Sequence, residues 1–373
     1  MKNKIFFLPA SQIDNTGDVL INKVLLDELR KHGELIINDQ GKPDWFLEEI
    51  GGKESEKLSF HTNSKFYDHL RAQMKELKNE YRFFLVIHPG HTSRKGYRSA
   101  LYGDHGLLFT RFLRKLKNGD CQILRFGFSI GPFDWYNTIA EFFYTTAYKM
   151  YAVRDTESFS LGKKFRFRNI KQMPDLAWSY KNLSNSNISI EAIEESYIVL
   201  SFRSNKFGTK HDSDYLKPII EHLKKILPVN KKIKIVYQVK FDREPALEIH
   251  KELSKTSNNI ELIDEKLDLQ TASNLYKDAD YIISNRLHVL LLGMVQQTLA
   301  FPLIIPGDNA KIINIYRDNS LNHYLLSSLD DSSENVIKIN KIISDENTCK
   351  VELKKTIDKN DKAIVDIISN TFL

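Results

Sequence analysis

From Tyr197 onward the chain alternates short apolar runs with helix-patterned segments, and this alternation limits the fold more than any other feature. Apolar runs at Tyr197–Phe202, Ile233–Val239, Ile260–Ile263, Tyr281–Ser284 and Leu299–Ile305 read as strands. Between them, Asp214–Leu227, Glu244–Ser254 and Leu269–Lys277 carry helical spacing, a further segment opens at Arg286, and a helix follows near Lys311–Tyr316. Strands separated by helices at this interval require right-handed crossovers, and so a parallel sheet with helices on both faces.

The first half repeats the theme less regularly. Ile5–Leu8, Leu35–Ile37, Phe83–Ile87, Gln122–Ile130 and Tyr151–Val153 read as strands. Asp18–His32, Phe109–Leu116 and Ile139–Tyr148 read as helices, and Asp155 or Thr156 can cap another that contains Ser158 and Leu161. A polar stretch separates Ile37 from Phe83. At 373 residues two domains are expected, and the Ser/Asn-rich segment between Lys181 and Glu195 marks the linker. Two Rossmann-like α/β lobes facing each other form a glycosyltransferase-B-like architecture. The expected limits are 1–182 and 183–345, with 346–373 as a terminal helix, patterned over Leu353–Ile368, that can return to the first lobe.

Composition narrows the setting. Residues are 42% hydrophobic and 27% charged, with 54 basic against 48 acidic, so the net charge of +6 gives little support to a nucleic-acid partner. Cys121 and Cys349 stand far apart in no ligand spacing, which suggests neither a disulfide framework nor a metal site and points to a reducing cytoplasm. The start superficially resembles a signal peptide, but its apolar run of about six residues reads better as a first strand. No stretch reaches the ~18–20 apolar residues that span a bilayer, so membrane contact is expected to be peripheral. Two basic clusters, Arg94-Lys95-Arg98 and Lys163-Lys164-Arg166-Arg168 with Phe165 and Phe167 between, can meet phosphates or anionic lipid; a solvated basic face is the simpler reading.

In open α/β sheets the ligand lies beyond the carboxyl ends of the strands. There the second half places Arg203, Lys240, Arg286 with His288, and Pro306-Gly307-Asp308 with Lys311. Cations converging beside helix N-termini suit a phosphate, a carboxylate or both. Lys240 and Lys311 can equally pair with a neighbouring acid or reach solvent. Arg286 and His288 are stronger candidates, because apolar sequence on both sides leaves little water to solvate an unpaired cation.

In the first half, Asp14-Asn15-Thr16-Gly17-Asp18 lies between strand and helix. Thr16 or Asp18 can cap a helix opening at Val19, and Asn15, Gly17 and Asp18 can equally touch substrate. His88-Pro89-Gly90-His91 reads as a loop that offers two histidines to a sugar hydroxyl or a leaving group, and Gly131-Pro132 as a strand end shaping the cleft floor. The spaced glycines of a dinucleotide site are absent, as are a Ser-His-Asp order and a phosphate-cradling lysine loop. No cofactor or metal is expected.

Together these motifs resemble the polysaccharide pyruvyl transferases. The matching pieces are Asn15-Thr16-Gly17-Asp18, Gly127-Phe128-Ser129-Ile130-Gly131-Pro132, Val153-Arg154-Asp155 with Ser158, and Pro174-Asp175-Leu176-Ala177. Ser201-Phe202-Arg203, Leu275-Tyr276 before Ala279-Asp280-Tyr281, Ser284-Asn285-Arg286-Leu287-His288, Lys311 and Tyr316 follow in order, so the resemblance covers roughly residues 5–320. It departs at His88-Pro89-Gly90-His91, where family members often carry a glycine-rich turn.

The resemblance implies transfer of a pyruvyl group from phosphoenolpyruvate onto two hydroxyls of a sugar, in cell-surface or exopolysaccharide synthesis, with an acceptor lipid-linked or free. The second lobe would bind the donor and the first the acceptor. It also implies donor binding and catalysis by Arg286, His288 and Arg203. The mechanism expected from the residues themselves has Lys240 or Lys311 assisting the arginines, His288 as general acid and Asp18 or His91 accepting the hydroxyl proton. A lipid-linked acceptor would make the basic clusters docking points at the inner membrane face. The rivals are a sugar transferase with a nucleotide-sugar donor, whose diphosphate suits the same basic cleft, and a non-catalytic glycan- or phosphate-binding protein.

Overall fold

The computed structural model describes residues 1–10, 13–181, 196–205, 211–305 and 307–373. Two compact units divide them: Met1–Ile13, Asp18–Leu176 and Asn360–Leu373 form the first, Asp14–Gly17 and Ala177–Lys359 the second. The expected linker and the 182/183 boundary lie outside the described residues.

Among the described residues the first unit holds β1 (Lys2–Leu8), β2 (Glu34–Ile37), β3 (Tyr81–Ile87), β4 (Gly90–Arg94), β5 (Cys121–Phe133), β6 (Tyr148–Val153) and β7 (Ile170–Gln172). The order is β2-β1-β3-β5-β6-β7, with β4 paired to β5 and every pairing parallel. Central strands buried on both faces need nearly unbroken apolar runs, which Ile5-Phe6-Phe7 and Phe84-Leu85-Val86-Ile87 supply. The helices are α1 (Thr16–Leu29), α2 (Asp44–Glu49), α3 (Leu58–His61), α4 (Phe66–Glu76), α5 (Tyr97–Tyr102), α6 (Leu107–Asn118), α7 (Trp135–Thr145) and α8 (Thr156–Lys164). The second unit has β8 (Tyr197–Ser201), β9 (Lys232–Tyr237), β10 (Ile260–Lys266), β11 (Tyr281–Ser284), β12 (Leu299–Ile304) and β13 (Leu326–Ser327). They run parallel in the order β10-β9-β8-β11-β12-β13. Its helices are α9 (Ser213–Ile226), α10 (Arg243–Leu253), α11 (Leu269–Lys277), α12 (Leu287–Val295), α13 (Ala310–Asp318) and α14 (Ser332–Ser344); α15 (Glu346–Phe372) follows, its last turns counting with the first unit. There Arg82 donates to the carbonyls of Phe372 and Leu373 at 2.7 and 3.0 Å, and Phe372 stacks on His32 with ring centroids 5.0 Å apart.

Several boundaries differ from the sequence reading. α1 opens at Thr16 rather than Asp18: Asn15 Oδ1 caps it by accepting from the Gly17 amide at 3.0 Å, while the Thr16 hydroxyl is committed to the carbonyls of Gln238 and Leu267. The polar stretch after Ile37 contains α2, α3 and α4, whose short apolar contacts hide among charges. α7 runs four residues earlier than expected because Asp134 caps it, and Tyr148 is already strand. β5 continues through Gly131-Pro132, and Gly90–His91 is not loop but the start of β4, paired with Phe128 and Ser129.

Gly127 lies inside β5 at φ +67°, and a Cβ there would overlap the Leu176 side chain. Gly127→Ala should therefore cost about 2–4 kcal/mol, combining left-handed strain with overpacking. Urea denaturation measures this; an unchanged midpoint would remove the close approach from the account.

Candidate functional site

The point where strand order reverses is where a doubly wound sheet opens a crevice. In the second unit that point lies between β8 and β11, whose last residues, Ser201 and Ser284, are paired. Arg203 follows one strand and Arg286 the other. The peptide of Arg203 is held from both sides by Asn285, whose Oδ1 accepts from its N–H at 2.8 Å and whose Nδ2 donates to its carbonyl at 3.0 Å. Ser284 Oγ donates to the Ser201 carbonyl at 2.5 Å and accepts from the Arg286 amide at 2.9 Å. Two short polar side chains thus lock both arginine backbones at one level of the sheet.

The charges lie close together. Arg286 forms an ion pair with Asp242, a carboxylate buried at the start of α10. Burial pushes the Asp242 carboxyl up, opposed by Arg286 and then Arg203. Arg203 is pushed down, first by burial and then by the charge of Arg286; Tyr215, Asp242 and Asp308 oppose this. Among the described residues, Arg203 Nε and Arg286 Nε are both buried with no hydrogen-bond partner. Two guanidinium groups close enough to repel, with Asp242 paired to one and Asp308 acting on the other, keep two unused donors, an arrangement that can take up an anion. Asp242 and Tyr215 were not legible as site residues: one sits in an ordinary helix-opening segment, the other in the first turn of α9.

His288 occupies the first turn of α12, two residues from Arg286, and is partly exposed. Gly17 abuts it, since a Cβ on Gly17 would run into the imidazole ring. Asn15 and Thr16 reach the same unit through a bridge from Asn15 to Val239 and the bonds of Thr16 to Gln238 and Leu267. Lys240 is largely exposed and stands 3.8 Å from Asp14, a pair solvent leaves weak. Lys311 is in the first turn of α13, partly buried; Pro306 lies outside the described residues.

In the first unit the order reverses between β1 and β3, and the loops after these strands carry the other candidates. Asn22, fully buried, accepts from the Ala10 amide at 3.0 Å and donates to the Asp18 carbonyl at 2.7 Å, tying the loop after β1 to α1. Gly90 comes close to the Asp18 carboxylate: a Cβ there would sit 3.9 Å from Oδ1. His91 is exposed on β4. His88 Nδ1 donates to the Pro89 carbonyl at 2.8 Å, and burial, then Arg125, pushes its pKa down to about 4. It is therefore neutral at physiological pH. Arg125, fully buried, spans the turn by donating from Nε to the His88 carbonyl at 3.1 Å and from Nη2 to Thr92 Oγ1 at 2.8 Å. Arg94, read above as part of a surface cluster, is buried and ion-paired with Glu141, which also accepts from Tyr151; Phe167 of the second cluster is buried too. Arg94 is drawn inward from the polar strand β4 by Glu141 and the Phe133 ring, and Phe167 is an apolar residue set among the charges of its cluster. Among the described residues no group of three or more His, Cys, Asp or Glu side chains is placed to hold a metal ion.

A family model described as polysaccharide pyruvyl transferase matches residues 15–303, a span that includes Arg203, Arg286 and His288 but not Lys311. Among solved structures the chain is similar to a glycosyltransferase from Rickettsia africae ESF-5, with a TM-score of 0.64, 12% identity, and 100% of this chain and 98% of that one covered. It is also similar to a UDP-GlcNAc 2-epimerase from Neisseria meningitidis bound to UDP-GlcNAc, at 0.60, 12%, 100% and 99%. A UDP-GlcNAc 2-epimerase from Methanocaldococcus jannaschii follows at 0.57, 15%, 91% and 92%. At such identities the likeness shows the fold, that of two-domain glycosyltransferase-B-like proteins. No curated protein matches the sequence.

The His88 shift has a consequence for stability. Its folded pKa lies below the unfolded value of about 6.5, so the unfolded chain binds more protons between the two, and stability is lost as pH falls from about 6.5 towards 4. The contribution is at most about 3 kcal/mol. His88→Gln should flatten the fall in the urea midpoint between pH 7 and pH 5; parallel slopes would contradict a buried neutral imidazole.

Proposed function

Because this chain belongs to the polysaccharide pyruvyl transferase family, and is by that a transferase, we propose that it moves a pyruvyl group from phosphoenolpyruvate onto two hydroxyls of a saccharide acceptor, releasing phosphate. The observation that carries this reading is the half-buried pair Arg203 and Arg286, each with a buried, unused Nε donor, at the switch point of the second unit. Phosphoenolpyruvate presents a carboxylate and a phosphate, and planar guanidinium groups match both bidentately. Lys240, after β9, and Lys311, in the first turn of α13 after β12, add positive charge in segments that follow other strands of the same sheet.

In the proposed reaction His288 protonates the methylene carbon of the donor, leaving cationic character at the adjacent carbon, where one sugar hydroxyl adds. Phosphate then departs and the second hydroxyl takes its place. Of the two hydroxyl protons, one replaces that given by His288 and the other leaves with phosphate. The arginines stabilise negative charge gathering on the departing phosphate. Asp18 and His91 are the proposed proton acceptors for the hydroxyls. Asn15 and Gly17 act through position, Asn15 as the cap of α1 and Gly17 as the backbone against which His288 rests. Neutral His88, its Nδ1–H engaged by the Pro89 carbonyl, accepts a hydrogen bond at Nε2 from an acceptor hydroxyl rather than carrying charge.

A nucleotide-sugar donor is the second reading, favoured by the likeness to a glycosyltransferase and to an epimerase bound to UDP-GlcNAc. A ligand that binds only the folded state raises its melting temperature by mass action. Stabilisation by phosphoenolpyruvate and not by uridine or guanosine diphosphate is expected; the reverse would assign the site to sugar transfer. His288→Ala should lower kcat by ~10²–10⁴-fold while keeping stabilisation by phosphoenolpyruvate, and turnover equal to wild type would remove the imidazole from the chemistry. Gly17→Ala, which pushes a methyl group into that ring, should reduce kcat in the same direction with a smaller change in KM, and an unaltered kcat would separate Gly17 from His288.

A further inference from the structure

The helices that follow β4 and β5 leave an apolar face uncovered. Trp135, Tyr136, Ile139 and Phe143 of α7 lie within one arc of the helix and are all exposed, Trp135 at 63%. Trp135 stacks on Tyr136 at 3.7 Å between ring centroids, and exposed Tyr97 of α5 packs edge-on to Tyr136 at 5.7 Å. The aromatic cluster is thus continuous across two helices. Asp134, the cap of α7, accepts from the Gly96 amide, and Asn137 donates to the Gly96 carbonyl at 3.1 Å, so the openings of α5 and α7 are fixed to each other.

Cations rim this face and acids are withdrawn from it. Exposed Lys95 and Arg98 flank Tyr97 in sequence, and Lys95 lies near enough to α7 to lower the pKa of Asp134, after the Gly96 and Asn137 hydrogen bonds and against a small burial effect. Arg114 of α6 lies over the Phe143 ring at 5.7 Å. Of the acids on these segments, Glu141 is buried against Arg94 and Asp134 is taken up by its capping bonds; Asp104 is the exposed one.

We propose that this face docks on an anionic lipid bilayer. Tryptophan and tyrosine suit the boundary between headgroups and acyl chains, Ile139 and Phe143 extend the contact further than a sugar ring would need, and Lys95, Arg98 and Arg114 meet lipid phosphates. Among the described residues no helix is long and apolar enough to cross a membrane, so the attachment is peripheral. α5 and α7 open directly after β4 and β5 in the first unit, which also contains Asp18 and His91. The surface deepens the proposed function by assigning the acceptor a lipid anchor, and only that clause rests on pyruvyl transfer.

Vesicle binding tests the surface with no turnover. The full chain should sediment with vesicles of phosphatidylglycerol and phosphatidylcholine and not with phosphatidylcholine alone. Each cation at an anionic surface is worth about five-fold in partitioning, so Lys95→Glu with Arg98→Glu should weaken binding by at least ~20-fold. Trp135→Ser with Ile139→Glu should weaken it by ~10-fold or more, and neither double variant should shift the melting temperature. Wild type that fails to sediment with anionic vesicles, or variants that sediment equally, overturn the proposal. A Trp135-dependent dimer without vesicle binding, or protection of Trp135 by a soluble acceptor glycan alone, would give the face to another occupant and also overturn it.

Discussion

Two guanidinium groups, Arg203 and Arg286, are held half-buried and close enough to repel, with Asp242 paired to the second and Asp308 acting on the first. Keeping such charges together out of water is costly, and among the described residues each still has a buried N–H donor with no partner. Such an arrangement is maintained because the backbone over-determines it: Asn285 grips the peptide of one arginine, Ser284 the amide of the other, and both belong to adjacent parallel strands at equal register. In the proposed function a dianion entering there takes up both unused donors. Preorganisation of this kind costs nothing at the moment of reaction, which is the physical reason to read it as a site for a charged donor.

The first unit holds a pair of neighbouring arginines as well, each with one buried N–H left without a partner among the described residues. Arg94 and Arg125 are buried too, but Glu141, Thr92 and backbone carbonyls take up most of their donors, and His88 is kept neutral beside them. This network braces the turn between β3 and β4. The two units thus share a fold pattern and a switch-point geometry, and in each a pair of neighbouring arginines keeps one buried N–H donor apiece beside a paired carboxylate.

Much of this was legible in the sequence. The strands around Ile5, Phe84, Ile198 and Ile282 declare themselves because strands buried on both faces must be continuously apolar, and Leu269–Lys277 and Tyr281–Ser284 coincide with their observed limits. Arg203, Arg286 and His288 stood out because they follow such runs, and the family and fold class read from those motifs agree with the family model and the solved structures. What escaped depends on contacts distant in sequence. Asn15 rather than Asp18 caps α1 because the Thr16 hydroxyl is taken by carbonyls more than two hundred residues away. Arg94 looked like surface charge, since no local pattern reveals that Glu141 waits for it in the core. Asp242 had no signal, being one acid among several at a helix opening.

The central claim is that Arg203 and Arg286 act on one ligand. A double-mutant cycle on phosphoenolpyruvate affinity, using Arg203→Met, Arg286→Met and the double variant in calorimetric titrations, tests it most directly. Residues that share a ligand and repel each other are expected to be non-additive by ~0.5–3 kcal/mol, with the double variant losing less affinity than the sum of the single losses. Strictly additive losses, or single variants that bind as tightly as wild type, would contradict a shared anion seat.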